Sequence, residues 1–123
     1  MSKMEKKKLL IVDDDPRNIF ALVNTLKARS FECLSCSTAE EALKILADNN
    51  DIQGILIDMM MPEMDGYEAI PLIKKDDEGM PHIIAVTAQA MPGDKEKCLA
   101  AGADDYISKP VDVDKLLMIL NEI

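Results

Sequence analysis

The sequence predicts an α/β domain built on a parallel sheet, and three observations carry that prediction. Short apolar runs alternate with longer amphipathic stretches five times along the 123 residues, the pattern of repeated strand–helix units. The runs are apolar on both faces, as in Leu9-Leu10-Ile11-Val12 and Ile55-Leu56-Ile57, which a strand covered by helices on both sides requires. The chain is long enough for one domain with its own core, and its 48% hydrophobic and 30% charged residues are ordinary usage for a folded chain,.

The elements follow in order. The first strand is expected over about Lys8 to Asp13. Asp15-Pro16 then offers an N-cap and a proline at the first helical position, and Ile19, Leu22, Val23 and Leu26 recur at helical spacing to about Ala28,. Phe31 to Ser35 reads as the second strand. Ser37-Thr38-Ala39-Glu40 has capping-box spacing and opens the second helix, whose Ala42, Leu43, Ile45 and Leu46 form the inward stripe until Asn49-Asn50 ends it,. The third strand is Gly54 to Asp58, followed by a loop from Met59 to Asp65. The third helix starts near Gly66 and carries Tyr67, Ile70, Leu72 and Ile73, and Pro71 inside this pattern must kink it or remove a hydrogen bond,. Lys74 to Gly79 is a polar exit loop. His82 to Val86 forms the fourth strand, ending at Thr87, and the fourth helix runs from about Pro92 to Ala101 with Gly102 suited to a left-handed closing position,. Asp104 to Ser108 is the fifth strand, ending at Lys109-Pro110. Asp112 caps the last helix, with Leu116, Leu117, Ile119 and Leu120 inward,. No linker or low-complexity tract interrupts this series, so a single domain over 1–123 is expected, with 1–7 as a basic tail.

Composition excludes several function classes. A net charge of −9 is wrong for a domain that binds nucleic acid directly, because neutralising phosphates needs a concentrated positive face. The apolar runs are too short to cross a bilayer, and the basic start leads into only four apolar residues, not a secretory signal. The expected location is the cytoplasm. Cys33, Cys36 and Cys98 are an odd number and read as reduced thiols,. Cys33 and Cys36 spell C-x-x-C, but inside a strand their odd offset points them to opposite faces, which disfavours a redox pair. With His82 as the single histidine, a zinc site is disfavoured as well,.

Four of the five strands end in a chemically active side chain: Asp13 with Asp14, then Asp58, Thr87 and Lys109. In a parallel sheet the loops leaving the C-terminal strand ends open the crevice where ligands collect. If the first and third strands are neighbours, three or four carboxylates converge. Two unit charges about 5 Å apart repel by roughly 3 kcal/mol at an effective dielectric of about 20, so such a cluster needs a cation or a raised pKa.

This set of strand tips resembles the receiver domain of two-component response regulators. The likeness runs along the whole chain: Asp13-Asp14, the segment Leu56-Ile57-Asp58-Met59-Met60-Met61-Pro62-Glu63-Met64-Asp65-Gly66, the triplet Val86-Thr87-Ala88, and Gly102 through Pro110. A single acidic triplet is weak, whereas all these motifs in this order are specific. The resemblance implies a flavodoxin-like (βα)5 sandwich with strand order 2-1-3-4-5. It implies that Asp58 accepts a phosphoryl group from a histidine kinase or a histidine phosphotransfer protein, with Mg²⁺ or Mn²⁺ as cofactor. Asp13, Asp14, Asp58 and the backbone carbonyl of Met60 become the metal ligands, Asp13 mostly through water; the oxygen-only set suits a hard cation. Lys109 pairs with a phosphoryl oxygen, and with the acidic cluster beforehand. Thr87 donates its hydroxyl, and Tyr106 is the aromatic that turns inward as Thr87 moves. A downstream protein target then reads the surface formed by the fourth helix, fifth strand and fifth helix. The resemblance also implies a cis Lys109-Pro110 peptide, and places Gln89 and Met60 where hydrolysis of the acyl phosphate is tuned. No separate organic cofactor, no enzyme activity in the usual sense and no catalytic role for His82 are expected.

Other chemistries fit less well. A haloacid-dehalogenase-type phosphatase also uses a strand-tip aspartate, lysine, threonine and Mg²⁺, but places a second acid two residues after the nucleophile, where this chain has Met60. A flavin mononucleotide protein needs a Ser, Thr and Gly-rich phosphate loop in place of Asp13-Asp14-Asp15-Pro16. A calcium loop requires alternate acids, a central glycine and a terminal glutamate. An interaction scaffold without phosphorylation is opposed by the complete set of site residues. The chain is expected to be either a single-domain regulator or the receiver module of a hybrid sensor kinase.

Overall fold

A computed structural model describes residues 7–75, 81–88 and 92–123. Strands and helices alternate: β1 (Lys8–Val12), α1 (Pro16–Ala28), β2 (Glu32–Cys36), α2 (Ala39–Asp48), β3 (Gly54–Asp58), α3 (Gly66–Lys75), β4 (His82–Thr87), α4 (Asp94–Ala101), β5 (Asp105–Ser108) and α5 (Val113–Leu120). The strands form one parallel sheet in the order β2-β1-β3-β4-β5, as expected.

Alternation along the strands divides the core in two. Leu10, Val12, Ile55, Ile57, Ile83 and Ala85 point to the face covered by α2, α3 and α4. Leu9, Ile11, Leu56, Ile84, Val86 and Ile107 point to the face covered by α1 and α5. Both faces of β3 are buried along its whole length, which explains its uninterrupted apolar run.

Register fixes the functional edge. Val12 pairs with Ile57, so Asp13 and Asp58, the next residue on each chain, come level at the C-terminal tips. Asp58 pairs with Val86 and Thr87 with Ser108, so Thr87 and Lys109 follow on the neighbouring tips.

Several local expectations shift. The Asp15 side chain does cap α1 through the Arg17 N–H, followed by Pro16. The cap of α2 falls one residue later than Ser37: the Thr38 hydroxyl accepts from the Glu41 N–H at 3.1 Å, and the Glu41 carboxylate reaches back to the Ser37 N–H at 3.1 Å. Both Ser37/Glu40 and Thr38/Glu41 have the required spacing, and the second pair wins because Cys36 still belongs to β2. In α3 the buried stripe is Ala69, Ile70 and Ile73, while Leu72 is 43% exposed; the helix axis is turned so that the small Ala69 meets the core. The helix continues through Pro71 to Lys75, two residues into the expected exit loop, and forgoes the bond residue 71 would donate,. α4 starts at Asp94 rather than Pro92 because Gly93, with φ of 88°, is its N-cap, and Gly102 closes it at φ 119°,. The strand edges also differ: β1 stops at Val12, β2 starts at Glu32 and β5 at Asp105. Cys33 and Cys36 do lie toward opposite cores, and all three cysteines are free, Cys98 fully buried and the other two half-buried. The Lys109-Pro110 peptide is cis. Residues 1–6 of the expected tail, Gln89 and the end of the exit loop lie outside the described residues.

Candidate functional site

The strand tips bring Asp13, Asp14 and Asp58 together, with one carboxylate oxygen of each inside 4.8 Å of the others. Asp13 and Asp58 are both 3% exposed, and Asp14 faces solvent. Two buried carboxylates need explicit compensation. Asp13 Oδ1 accepts the Asp15 N–H at 2.8 Å and its Oδ2 the Asn18 amide at 3.4 Å. Asp58 Oδ1 accepts the Met60 N–H at 3.0 Å, and this Asx-type turn fixes the chain's departure from the strand,. The Lys109 ammonium then sits between the two acids, 3.3 Å from Asp58 Oδ2 and 3.6 Å from Asp13 Oδ2.

The charges respond to one another. Burial pushes the Asp13 carboxyl above its ordinary value, the charge of Asp58 adds to this, and the Asp15 N–H and Lys109 pull against it. Burial pulls the Lys109 ammonium down, but Asp58 and Asp13 together pull further up, so Lys109 stays firmly protonated,.

The other expected residues are also placed. Thr87 is 1% exposed at the tip of β4, and its carbonyl accepts the Lys109 N–H at 2.7 Å, which ties the two tips together. Tyr106 on β5 is half-buried against the core that α3 and α4 cover. Met60 is 53% exposed, and it meets Asp58 through its backbone N–H. Met59 is fully buried, and Gly66 is packed so closely beneath it that a Cβ there would lie 2.9 Å from the Met59 Cα. His82 lies at the far end of β4 and pairs with Asp105 at 2.6 Å, away from the acids as expected. Among the described residues no helix is long and apolar enough to cross a membrane.

A cavity of about 190 Å³ opens beside the acids on the α1–α5 side, where Asn18, Leu22, Leu56, Val111 and Val113 line it together with Lys109. A second polar cluster lies on the other side. The Tyr67 hydroxyl donates to Asp94 Oδ1 at 3.2 Å and lies 3.9 Å from Cys98 Sγ. Sequence reasoning placed Tyr67 in an apolar stripe and gave Asp94 no part. The four-residue spacing of Asp94 and Cys98 on one helical face was the available signal.

Chemically, the tips offer an all-oxygen acidic cluster with one fixed cation. Three carboxylates at this separation suit a hard divalent cation such as Mg²⁺ far better than a soft metal, and the cluster itself holds oxygen donors alone,. Asp58 lies between the acids of β1 and the Lys109 ammonium, so one carboxylate belongs both to the acidic cluster and to the ion pair.

The comparisons agree with this geometry. The profile of the response regulator receiver domain matches residues 9–121. The sensor histidine kinase RcsC of Escherichia coli (strain K12) is 36% identical over 112 residues, 91% of this chain and 12% of that kinase, so the chain spans a small part of that relative. Among solved structures, the receiver domain of the sensor histidine kinase PA1611 from Pseudomonas aeruginosa PAO1, with a magnesium ion coordinated in its active-site cleft, is 31% identical. It superposes with a TM-score of 0.85 over 96% of this chain and 97% of that one. The receiver domain of the Saccharomyces cerevisiae response regulator Ssk1, in complex with the histidine phosphotransfer protein Ypd1, is 27% identical with a TM-score of 0.85, covering 98% of this chain and 90% of that one. Sheet order, acidic strand tips and sequence together assign the chain to the receiver domains of two-component signalling systems.

Proposed function

We propose that Asp58 is the phosphoacceptor of this receiver domain. The observation that carries the reading is the position of Asp58, buried beside Asp13 and paired at 3.3 Å with Lys109 on the neighbouring tip. An Asp58 carboxylate oxygen attacks the phosphorus of a phosphohistidine on a histidine kinase or histidine phosphotransfer protein. The P–N bond breaks, its electron pair returns to the imidazole, and Asp58 becomes an acyl phosphate. Asp13, Asp14, Asp58 and the Met60 carbonyl would hold Mg²⁺ or Mn²⁺, which supplies charge neutralisation for the phosphoryl oxygens when bound. Lys109, released from the two acids, pairs with one phosphoryl oxygen, and the Thr87 hydroxyl donates to another.

The same step is the switch. Thr87 and Lys109 lie on the tips of β4 and after β5, so drawing them toward Asp58 biases the surface of α4, β5 and α5, with Tyr106 following Thr87 inward. A downstream protein target recognises that surface. Such a domain, cytoplasmic and phosphorylated in turn, carries a signal and assists its own phosphorylation and dephosphorylation; it is not an enzyme in the usual sense. It acts either as a single-domain regulator or as the receiver module of a hybrid kinase, forming one domain over 1–123 with a basic tail at 1–7.

Incubation with acetyl phosphate and Mg²⁺ tests the assignment by intact mass. One phosphoryl group should appear on the wild type and none on Asp58→Asn. Labelling of the variant at another residue would refute Asp58 as the acceptor.

A further inference from the structure

Helix α4 is held differently from its neighbours. α1 buries Leu22 and Leu26, α5 buries Leu116 and Leu120, and α3 buries Ala69, Ile70 and Ile73. The buried residues of α4 are Asp94, at 8% exposure, and the fully buried Cys98, and its one large aliphatic side chain, Leu99, is 39% exposed. Apolar burial, which is non-directional and scales with area, therefore contributes little to the seat of α4, and directional contacts must fix it.

Among the described residues, the Tyr67 hydroxyl reaches from the first turn of α3 to α4, donating to Asp94 Oδ1 in the first turn of α4 and lying 3.9 Å from Cys98 Sγ one turn on. Lys97 of α4 adds an ammonium 5.9 Å from the centre of the Tyr67 ring. The bond satisfies only half of the carboxylate: Asp94 Oδ2 is buried with no hydrogen-bond partner among the described residues. An acceptor in that condition has lost its hydration without replacement. A displacement of α4 that opens Oδ2 to water recovers that loss, and the Tyr67 bond opposes the displacement. Tyr106 packs against the same core, so the seat of α4 and the setting of that ring are joined.

Building on the assignment of Asp58 as phosphoacceptor and α4 as a moving element, we propose that Tyr67 and Asp94 are positioning residues whose hydrogen bond holds α4 in place and limits how readily Asp58 takes a phosphoryl group. Neither touches the reacting atoms; both act through α4 and the Thr87 and Tyr106 side chains behind it. The bond is made in the arrangement where Asp58 is a carboxylate paired with Lys109. An arrangement with α4 displaced lacks it. Removing the bond therefore raises the population of the displaced arrangement, and with it the rate at which a competent domain meets the phosphodonor.

The test is the rate of phosphorylation by acetyl phosphate and Mg²⁺, followed by intact mass on the full chain, for wild type, Tyr67→Phe, Asp94→Ser and the double variant. Phe keeps the ring and loses only the hydroxyl; Ser keeps a polar group in the first turn of α4 but is too short to reach Tyr67. Tyr67→Phe should react about three- to tenfold faster than wild type, equivalent to about 0.7–1.4 kcal/mol, and Asp94→Ser, which also removes the carboxylate oxygen that favours displacement, should react faster by a smaller factor. The double variant should gain no more than either single one, because all three lack the same bond. Thermal unfolding of each variant identifies the folded ones, and a purely structural contact would lower the melting temperature and leave the rate unchanged. Unchanged or slower rates in folded single variants, with the wild type labelled, overturn the positioning role alone. An unlabelled wild type overturns the acceptor assignment and this proposal with it.

Discussion

Replacing Lys109 with Met removes the one ammonium shared by two buried carboxylates and keeps most of the side chain's bulk. At an effective dielectric of ~20, charges at the observed 3.3 and 3.6 Å attract by roughly 5 kcal/mol per contact, most of which offsets the desolvation of the three groups. Removing one partner of a buried pair costs about 3–5 kcal/mol, and the low end applies because the Lys109 side chain is 24% exposed. With a urea dependence of ~1.5 kcal/mol per molar, a loss of about 3 kcal/mol lowers the unfolding midpoint by about 2 M. Mg²⁺ changes the result. Without the competing ammonium the acids should bind the ion about tenfold more tightly, which returns about 1.4 kcal/mol at saturation. The gap between wild type and Lys109→Met should therefore close by about half in saturating Mg²⁺. The pH sign is also fixed. Lys109 titrates above its ordinary 10.5 in the folded chain, so its contribution is complete at neutral pH and disappears as pH rises through that raised value. Urea titrations at pH 7 with and without Mg²⁺, and above pH 11 without it, measure all of this. A midpoint loss that Mg²⁺ leaves unchanged refutes the idea that Lys109 and the metal share the same carboxylates.

Two further perturbations probe the surroundings of the site. Gly66→Ala drives a Cβ into Met59 Sδ and to 2.9 Å from its Cα; it should cost about 1–3 kcal/mol and slow labelling of Asp58 by shifting the Met59-Met60 backbone, which labelling rates and urea midpoints test together. Burial pushes the Cys36 thiol up to about 11 from an ordinary 9.0. At pH 8 it should therefore react with iodoacetamide about a hundredfold more slowly than an unperturbed thiol, with the rate climbing until pH passes about 11. A Cys36 rate equal to that of an unfolded peptide at pH 8 contradicts the buried placement.

The fold was legible because its determinants are local and repeated. Both-sided apolar runs leave few alternatives to a covered parallel strand, and the acids and Thr87 were visible because each stands at the end of such a run, whereas Lys109 follows the polar segment Asp104 to Ser108 and was legible through the Lys109-Pro110 motif. The departures arise where two local solutions are nearly equal in energy. Ser37 and Thr38 offer capping boxes one residue apart, and the end of β2 decides between them. Leu72 fits the helical period as well as Ala69 does, but only the packed sheet determines which face of α3 turns inward. The partnership of Tyr67 with Asp94 was illegible for another reason. It joins elements 27 residues apart, and a buried carboxylate on a helix looks in sequence like any first-turn acid.

The division of the core has a consequence for how such a chain can change over time. Leu9 and Leu10 are neighbours in sequence yet belong to separate packed volumes, and the same holds for Leu56 and Ile57. Substitutions in the two volumes share no side-chain partners, so their effects should add. One half can be repacked for a new docking partner on α1 and α5 while the other keeps its fit beneath α4, and the strand-tip chemistry stands at their common border.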